Sequence, residues 1–401
     1  MIAITPLSER VQNALNTGVI QVSTKDDNYS IWKYDRNMTA DDDMELGAFR
    51  SVVFSAKTGN ILCYAPEKSL SKEQFNNVCS SDTRDLCLTE TIEGTMINLF
   101  WNPEIDQWEI ATRSGVGGNY WYNRNHYGPD KTHYQKTFRQ MFIDCMKGDS
   151  ANTDIGNIPG IDYLSRDYCY SFVIQHPDNH FVYRIRQPSA HLVAVYRVGA
   201  EAKEGEFFAE WINYNQVCKV TGQLIYAQTA AAVGCVSLEV LQENFSDVES
   251  VTFRNTYPMG YMVLDVNTGR RYSIENDKYA KLKELRGNNP NLQYQYLTLN
   301  RANQVTEFLA YFPQYKKQFY QFYRQYHEFV TEIHNAYVKY YVLKNRDPVP
   351  KKYFVHVSKI HHNIYLPSLA SGNKQIITHR VIREYFDELN PSAQIYYLNA
   401  E

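Results

Sequence analysis

The stretch from Thr91 to Thr95, Thr-Ile-Glu-Gly-Thr, contains residue types that could do chemistry. It places a carboxylate, Glu93, beside a glycine, Gly94, directly before a run of β-branched and aromatic residues that predicts a strand. A threonine hydroxyl such as that of Thr91 needs a neighbouring base to act as a nucleophile. The stretch contains no histidine or lysine, so Thr91 is not expected to form a covalent intermediate.

Two predicted β-hairpins position this stretch. Residues 95–101 and 108–113 are rich in strand-forming residues, and a turn containing Asn, Pro and Asp separates them. Upstream, the apolar runs 49–54 and 61–64 flank a Lys-Thr-Gly-Asn turn, which is typical of a second hairpin. The sequence therefore predicts antiparallel strands on both sides of Glu93.

Three cations accompany the hairpins. Arg50 lies at the start of the upstream hairpin, and Lys68 follows the proline turn after it. Arg113 opens a loop, residues 114–118, in which three glycines could let backbone N–H groups approach an anion. These residues are candidates for phosphate contacts, although two surface cations and a generic loop would produce the same pattern.

These blocks together resemble the nucleophile region of covalent nucleotidyltransferases, in particular RNA ligases of the phage tRNA-repair type and similar proteins of large DNA viruses. Their pattern is Lys-x-Asp/Glu-Gly before a short apolar strand. The resemblance implies an α+β fold: a nucleotidyltransferase (ATP-grasp-like) domain of antiparallel sheets with flanking helices over residues 1–285, and an all-α domain over residues 286–401. It also implies a nucleotide-binding site made of Arg50, Lys68, Glu93, Gly94 and Arg113.

The chain departs from the family pattern at the positions that carry the chemistry. Thr91 stands where the family has the lysine that forms a phosphoramide bond to the nucleotide. Ser171 and Met259 stand where the family has glutamates, and Ser273 and Glu275 stand where it has two lysines. A carboxylate in place of a lysine would repel phosphate, and a thioether is a poor magnesium ligand. We therefore expect a pseudoenzyme with no catalytic residue, no cofactor and no bound metal.

Composition is that of a globular protein. The chain has 401 residues and 44% hydrophobic content, and it contains no run of about 18 apolar residues that could span a membrane. Its seven cysteines include no Cys-x-x-Cys pair, which is typical of free thiols in a reducing compartment and disfavours zinc. The expected location is the cytoplasm, including that of a virus-infected host cell, or a virus particle.

Charge is unevenly distributed. Residues 281–401 contain 16 Lys and Arg against 9 Asp and Glu, whereas residues 1–280 contain 25 against 35. A basic module attached to an acidic one indicates a polyanionic partner such as RNA. Docking of the basic module on the acidic one explains the same numbers equally well.

Residues 315–343 are predicted to form one long helix. Apolar residues recur along it at steps of three or four and mark a buried stripe: Phe319, Phe322, Tyr326, Phe329, Ile333, Tyr337 and Tyr340. Four cations fall outside the stripe and are the candidate RNA-binding residues: Lys316, Lys317, Arg324 and Lys339. A helical cap or a protein-docking module is an equally good interpretation of this region.

Three functions are compatible with the sequence. The first is an inactive RNA-ligase-like protein that binds RNA or a nucleotide within a larger assembly that includes protein partners. The second is a structural or interaction component of a virus particle or complex, with a vestigial cleft. The third is an active RNA ligase that uses a displaced lysine such as Lys68.

Overall fold

The computed structural model describes residues 1–25, 28–35, 43–79, 86–121, 136–179, 181–183, 185–203, 205–212, 227–229, 232–234, 259–287, 289 and 291–400. A helix that the sequence predicts over residues 236–244 lies outside these ranges. The chain divides into a first unit, Met1–Lys281, and a second unit, Leu282–Glu401. The assignment of residues 1–285 to a ligase-like domain and 286–401 to a helical domain stays a prediction.

The strands that the structure describes in the first unit pair antiparallel with one exception. In chain order they are β1 (Ile2–Ile4), β2 (Ile20–Lys25), β3 (Tyr29–Tyr34), β4 (Val52–Ser55), β5 (Ile61–Tyr64), β6 (Leu86–Glu90), β7 (Thr95–Asn102), β8 (Gln107–Ala111), β9 (Tyr168–Gln175), β10 (Ser189–Ala200), β11 (Phe207–Trp211), β12 (Ala227–Thr229), β13 (Ala232–Gly234), β14 (Gly260–Asp265) and β15 (Arg271–Glu275). The exception is β12, which pairs parallel to β10.

These strands form three sheets in the described part of the unit. The largest has the order β1-β11-β10-β9-β7-β8, the second is β2-β3-β4-β5, and the third is β13-β6-β14-β15. Both predicted hairpins, β4–β5 and β7–β8, are confirmed. The antiparallel sheets, together with helices, confirm the predicted α+β class.

Apolar side chains of the largest sheet point to both of its faces, because successive residues of a strand point to opposite faces. Each face is covered by a hydrophobic cluster. On one face, Ile97 and Leu99 of β7 pack in a cluster with Phe142. On the other face, Phe100 packs in a second cluster that includes Val53 of the second sheet. Burying each such side chain contributes about 1.5–3 kcal/mol, so the strands that border the candidate site are held rigidly.

Each of four helices in the first unit begins at a side-chain cap. They are α1 (Glu9–Asn16), α2 (Met44–Gly47), α3 (Lys72–Val78) and α4 (Phe138–Cys145), capped by Ser8, Asp43, Ser71 and Thr137. These caps satisfy backbone N–H groups that have no partner inside the helix. A further helix, α5 (Asp277–Arg286), crosses the boundary between the two units.

The second unit is helical. Its helices are α6 (Leu292–Arg301), α7 (Val305–Tyr311), α8 (Lys316–Tyr337), α9 (Lys351–Ile360), α10 (Leu366–Ala370), α11 (His379–Asp387) and α12 (Pro391–Asn399). The predicted long helix is confirmed as α8, which continues in π-helical geometry over Val338–Val342. Most of the predicted stripe is buried, including Phe319, Tyr326 and Ile333. None of the described helices is long and apolar enough to span a bilayer.

A buried ion pair ties the segment after β5 to the turn before β15. Both carboxylate oxygens of Glu67 accept hydrogen bonds from Nη1 of Arg270, at 2.8 and 2.9 Å, and Glu67 is only 2% exposed. Burial raises the pKa of Glu67, and the two neighbouring guanidinium groups of Arg270 and Arg271 oppose that shift. The pair fixes the backbone beside the candidate site.

We expect Glu67→Ala to lower the free energy of unfolding by about 3 kcal/mol, because it leaves Arg270 without its carboxylate. The control is Glu206→Ala, which removes half of the exposed pair between Lys203 and Glu206 and should cost less than about 1 kcal/mol. Urea denaturation followed by tryptophan fluorescence measures both values. Equal losses in the two variants would contradict this role of Glu67.

Candidate functional site

The first unit contains a cavity of about 640 Å³ that is lined by strands of its largest and third sheets and by residues that flank β4 and β5 of the second sheet. Small-molecule sites in proteins have volumes of about 300–1,000 Å³. The residues between β6 and β7 form part of its wall, together with three arginines: Arg50, Arg113 and Arg271. The cavity therefore has the size and the charged groups of a site for a small anionic ligand.

The predicted motif lies at this wall. The backbone N–H of Thr91 donates to the carbonyl of Gly260, at 2.9 Å, which fixes the end of β6. The hydroxyl of Thr91 is buried and has no hydrogen-bond partner among the described residues. Gly94 also lines the cavity, and a Cβ atom there would lie 2.3 Å from the carbonyl oxygen of Ile174. A glycine is required at position 94 because β9 passes too close for any side chain.

Glu93 points away from the cavity into the protein. Its Oε1 accepts hydrogen bonds from the backbone N–H groups of Phe181 and Val182, at 2.9 and 2.8 Å, and from that of Tyr183, at 3.2 Å. Its Oε2 accepts from the hydroxyl of Tyr279, at 2.8 Å. Glu93 is 6% exposed, and it is not among the described residues that line the cavity. The structure thus gives Glu93 a scaffolding position, and a nucleotide contact by Glu93 stays a prediction.

Two guanidinium groups converge at one backbone carbonyl. Arg271 donates from Nη2 to the carbonyl of Pro66, at 3.2 Å, and to that of Glu67, at 2.7 Å. Arg50 donates from Nη1 to the same Pro66 carbonyl, at 3.4 Å. Nε of Arg271 is buried and has no hydrogen-bond partner among the described residues. The two guanidinium groups are held close together on the cavity wall, where both can contact an anion.

Arg113 and Lys33 lie beside Ser114. Arg113 donates a hydrogen bond to the backbone carbonyl of Tyr34, and its guanidinium group lies 5.1 Å from the centre of the Tyr34 ring. Lys33 donates from Nζ to Oγ of Ser114, at 3.0 Å, and Ser114 lines the cavity. Burial lowers the pKa of Lys33, and the nearby charge of Arg113 lowers it further. Lys33 is not among the described lining residues, so its amine, which has a lowered pKa, lies one hydrogen bond away from the cavity wall.

The remaining predicted nucleotide-binding residue, Lys68, is half-buried and precedes Ser69, which lines the cavity. Lys68 itself is not among the described lining residues, so its phosphate contact stays a prediction. Of the five predicted residues, the structure brings three to the cavity: Arg50, Gly94 and Arg113.

The four candidate RNA-binding cations do not form one patch on the second unit. Lys316 and Lys317 lie in the first turn of α8. Arg324 pairs with Glu328 at 2.8 Å, and Lys339 pairs with Asp347 at 3.0 Å. Lys339 follows Lys316 by 23 positions, which corresponds to about 35 Å along a helix. Any shared contact with RNA would have to extend along the whole helix.

The positions that differ from the family pattern fall in several environments. Ser171 is fully buried and donates to Oδ1 of Asn98, at 2.8 Å, whereas Met259 lines the cavity. Ser273 and Glu275 are exposed and are not among the described lining residues. Glu275 is therefore not placed at the cavity wall, which instead contains Arg271.

No three His, Cys, Asp or Glu side chains are grouped so as to hold a metal ion in the described part of the chain. One carboxylate, that of Glu90, lines the cavity, and burial raises its pKa.

The chain matches an RNA ligase of Rhodothermus phage RM378 with 29% identity over 115 residues, which is 28% of this chain and 24% of that protein. This chain is related to RNA ligases. The match spans about a quarter of the phage RNA ligase, so it relates only part of the chain to that protein. No protein-family model matches the chain.

Solved structures of the Naegleria gruberi RNA ligase are also similar. A mutant form with ATP and Mn has a TM-score of 0.36 and 9% identity, and the similarity covers 55% of this chain and 59% of the Naegleria chain. The form with PPi has a TM-score of 0.36 and 8% identity, with coverages of 56% and 60%. The relationship of this chain to RNA ligases rests on the match to the phage sequence.

The expectation that this RNA-ligase relative is not an enzyme is wrong, because the protein that it matches in sequence is an RNA ligase, which is an enzyme. That expectation rested first on Thr91 in place of the nucleophilic lysine, and a displaced lysine such as Lys68 was the less favoured alternative. It also assumed that the phosphate-binding charge was lost at Glu275. The structure places Arg271 on the cavity wall, and it places the Lys33 amine in a hydrogen bond with Ser114, which lines the cavity.

Sequence reasoning missed Arg271 and Lys33 for different reasons. Arg271 lies two residues before Ser273 on β15, so the two-residue period of a strand places it on the same face. Shifting the motif by two positions would have found it. Lys33 is separated from Thr91 by 58 positions, and nothing local in the sequence indicates that β3 runs beside the loop at Ser114.

We expect Glu93→Ala to lower the free energy of unfolding by about 3 kcal/mol or more, because it leaves several buried donors without an acceptor. Glu93→Gln keeps one acceptor oxygen and should lose less. Urea denaturation, with nucleotide titration of the folded protein in parallel, separates stability from binding. A Glu93→Ala protein of normal stability that has lost nucleotide affinity would show that Glu93 contacts the ligand directly.

Proposed function

We propose that the chain is an RNA-ligase-type nucleotidyltransferase that binds a nucleoside triphosphate in the arginine-lined cavity and transfers the nucleotide to an RNA end. The observation that carries the proposal is the convergence of Arg50 and Arg271 at the Pro66 carbonyl, on the wall of a cavity that Arg113 also lines. The relationship to an RNA ligase supports it independently.

The charges of the cavity suit a triphosphate. Three guanidinium groups and one carboxylate, Glu90, are the charged side chains among its described lining residues. Two opposite unit charges about 4 Å apart attract by about 4 kcal/mol at an effective dielectric constant of about 20. Guanidinium groups also bind phosphate oxygens in pairs. A polyanion is thus the ligand class that this wall favours most.

The Lys33 amine is our candidate for the nucleotide acceptor. Its neutral form would attack the α-phosphorus, so that a P–N bond forms while the P–O bond to pyrophosphate breaks. The amine proton leaves to solvent, and pyrophosphate is the leaving group. A lysine next to another cation in a partly buried site is activated in this way, because its neutral form is more populated.

We expect incubation with an α-labelled nucleoside triphosphate and Mg²⁺ or Mn²⁺ to label the protein covalently, with the nucleotide on Lys33. Lys33→Ala should abolish the label, whereas Lys57→Ala, at an exposed lysine in the β4–β5 turn, should not. Mass spectrometry of the digested protein locates the adduct. Joining of RNAs that carry a 5′-phosphate and a 3′-hydroxyl should be lost together with the label.

Two outcomes would contradict parts of this proposal separately. An adduct on another lysine, for example Lys68, would refute the role of Lys33 and leave the RNA-ligase function standing. Tight nucleotide binding with no adduct and no RNA joining would refute the transfer reaction itself.

The lowered pKa of Lys33 predicts a pH dependence. Labelling at saturating nucleotide should rise with pH as Lys33 loses its proton, and it should level off below the pH range in which an ordinary lysine titrates. Arg113→Gln removes a charge that lowers this pKa, so the variant's profile should shift to higher pH. If the pH profile of labelling is the same in Arg113→Gln and in the wild type, Lys33 is excluded as the titrating group.

A further inference from the structure

The second unit contains a groove of about 510 Å³ between α6, α7 and the first turns of α8. Its wall combines exposed aromatic rings, side-chain amides and one lysine, and no carboxylate is among its described lining residues. We infer that this groove binds an unpaired nucleotide of a single-stranded RNA. The inference rests on the proposed RNA substrate and goes beyond it by assigning where the RNA is held.

Two aromatic side chains offer a stacking surface. Tyr320 is 63% exposed and Tyr323 is 48% exposed. Their ring planes lie within 15° of each other, with centroids 6.4 Å apart. His327 packs behind Tyr323, at 4.1 Å between centroids, which limits the rotation of that ring. Exposed and oriented aromatic rings of this kind bind nucleobases by stacking, independently of base identity.

The inner wall of the groove includes a buried tyrosine, Tyr296, whose hydroxyl has an open hydrogen-bonding position. Tyr296 lines the groove and is 1% exposed, and its hydroxyl has no hydrogen-bond partner among the described residues. Its ring is held by Phe319, at 5.5 Å edge to face, and by Phe322, at 6.0 Å. Buried polar groups in native proteins are normally hydrogen-bonded. A bound base with an acceptor or donor at its edge would supply the missing bond.

The remaining polar groups fit the rest of a nucleotide. Asn300 and Asn303 provide amide donors and acceptors, which match the edges of bases. Lys316 lies one helical turn before Tyr320 on the same face of α8, where its ammonium group can neutralise a phosphate. A peptide partner would use the same rings, but the absence of lining carboxylates together with the lysine favours a phosphate-bearing ligand.

The experiment measures binding of a 5′-labelled 12-nucleotide single-stranded RNA to the full chain by fluorescence anisotropy. We expect the double variant Tyr320→Ala/Tyr323→Ala to bind about 10-fold or more weakly. The matched control, Tyr163→Ala/Tyr396→Ala, removes two tyrosines that are also exposed but do not line the groove, and it should bind as the wild type does. Circular dichroism checks that both variants keep their helices.

Two single substitutions test the details. Tyr296→Phe should weaken binding several-fold, whereas a purely structural role would raise stability and leave the affinity unchanged. Lys316→Gln should reduce the slope of log affinity against log salt by about 0.7, the value for one phosphate contact on a single strand.

The outcomes separate the two proposals. If the wild type binds RNA and the Tyr320→Ala/Tyr323→Ala protein binds it equally well, the groove is not the site and the inference fails alone. If the wild type binds no RNA at low salt, the proposed RNA substrate and the inference both fail. Nucleotide labelling of the first unit should be the same in all these variants.

Discussion

The Glu93 carboxylate is the interaction on which the candidate site depends. It accepts hydrogen bonds from the three backbone N–H groups of residues 181–183 and from the hydroxyl of Tyr279. These groups come from distant parts of the first unit, so one side chain joins the β6–β7 junction to a loop and to α5. Because the carboxylate faces inward, its neighbours Ile92 and Gly94, together with Thr91, are held at the cavity wall.

A second constraint is the crowding of positive charge around Pro66. A backbone carbonyl that accepts from both Arg50 and Arg271 offsets only part of their mutual repulsion. Glu67, directly after it, is already engaged by Arg270. The fold therefore gathers the guanidinium groups of Arg50, Arg270 and Arg271 around Pro66 and Glu67, and guanidinium groups are well suited to bind phosphate.

Local patterns predicted the elements, and long-range geometry determined the site. The β7–β8 hairpin and the α8 stripe could be predicted because alternation and helical periodicity are local properties. Glu93 was found by its motif, but its inward orientation depends on residues almost ninety positions away. Lys33 carried no signal, since its proximity to Ser114 arises only from the stacking of two sheets. Catalytic capacity was misjudged from departures at five motif positions, because single positions do not show which cations the fold brings to the cavity.

Helix α8 turns one set of side chains inward and another outward. Phe319 and Tyr326 are almost fully buried, whereas Tyr320 and Tyr323, on adjacent turns, face solvent. Substitutions on the outward side leave the interior packing intact, so their effects should add independently to those of interior changes. During evolution, the exposed side chains of α8 can therefore change between relatives while the helical unit still folds.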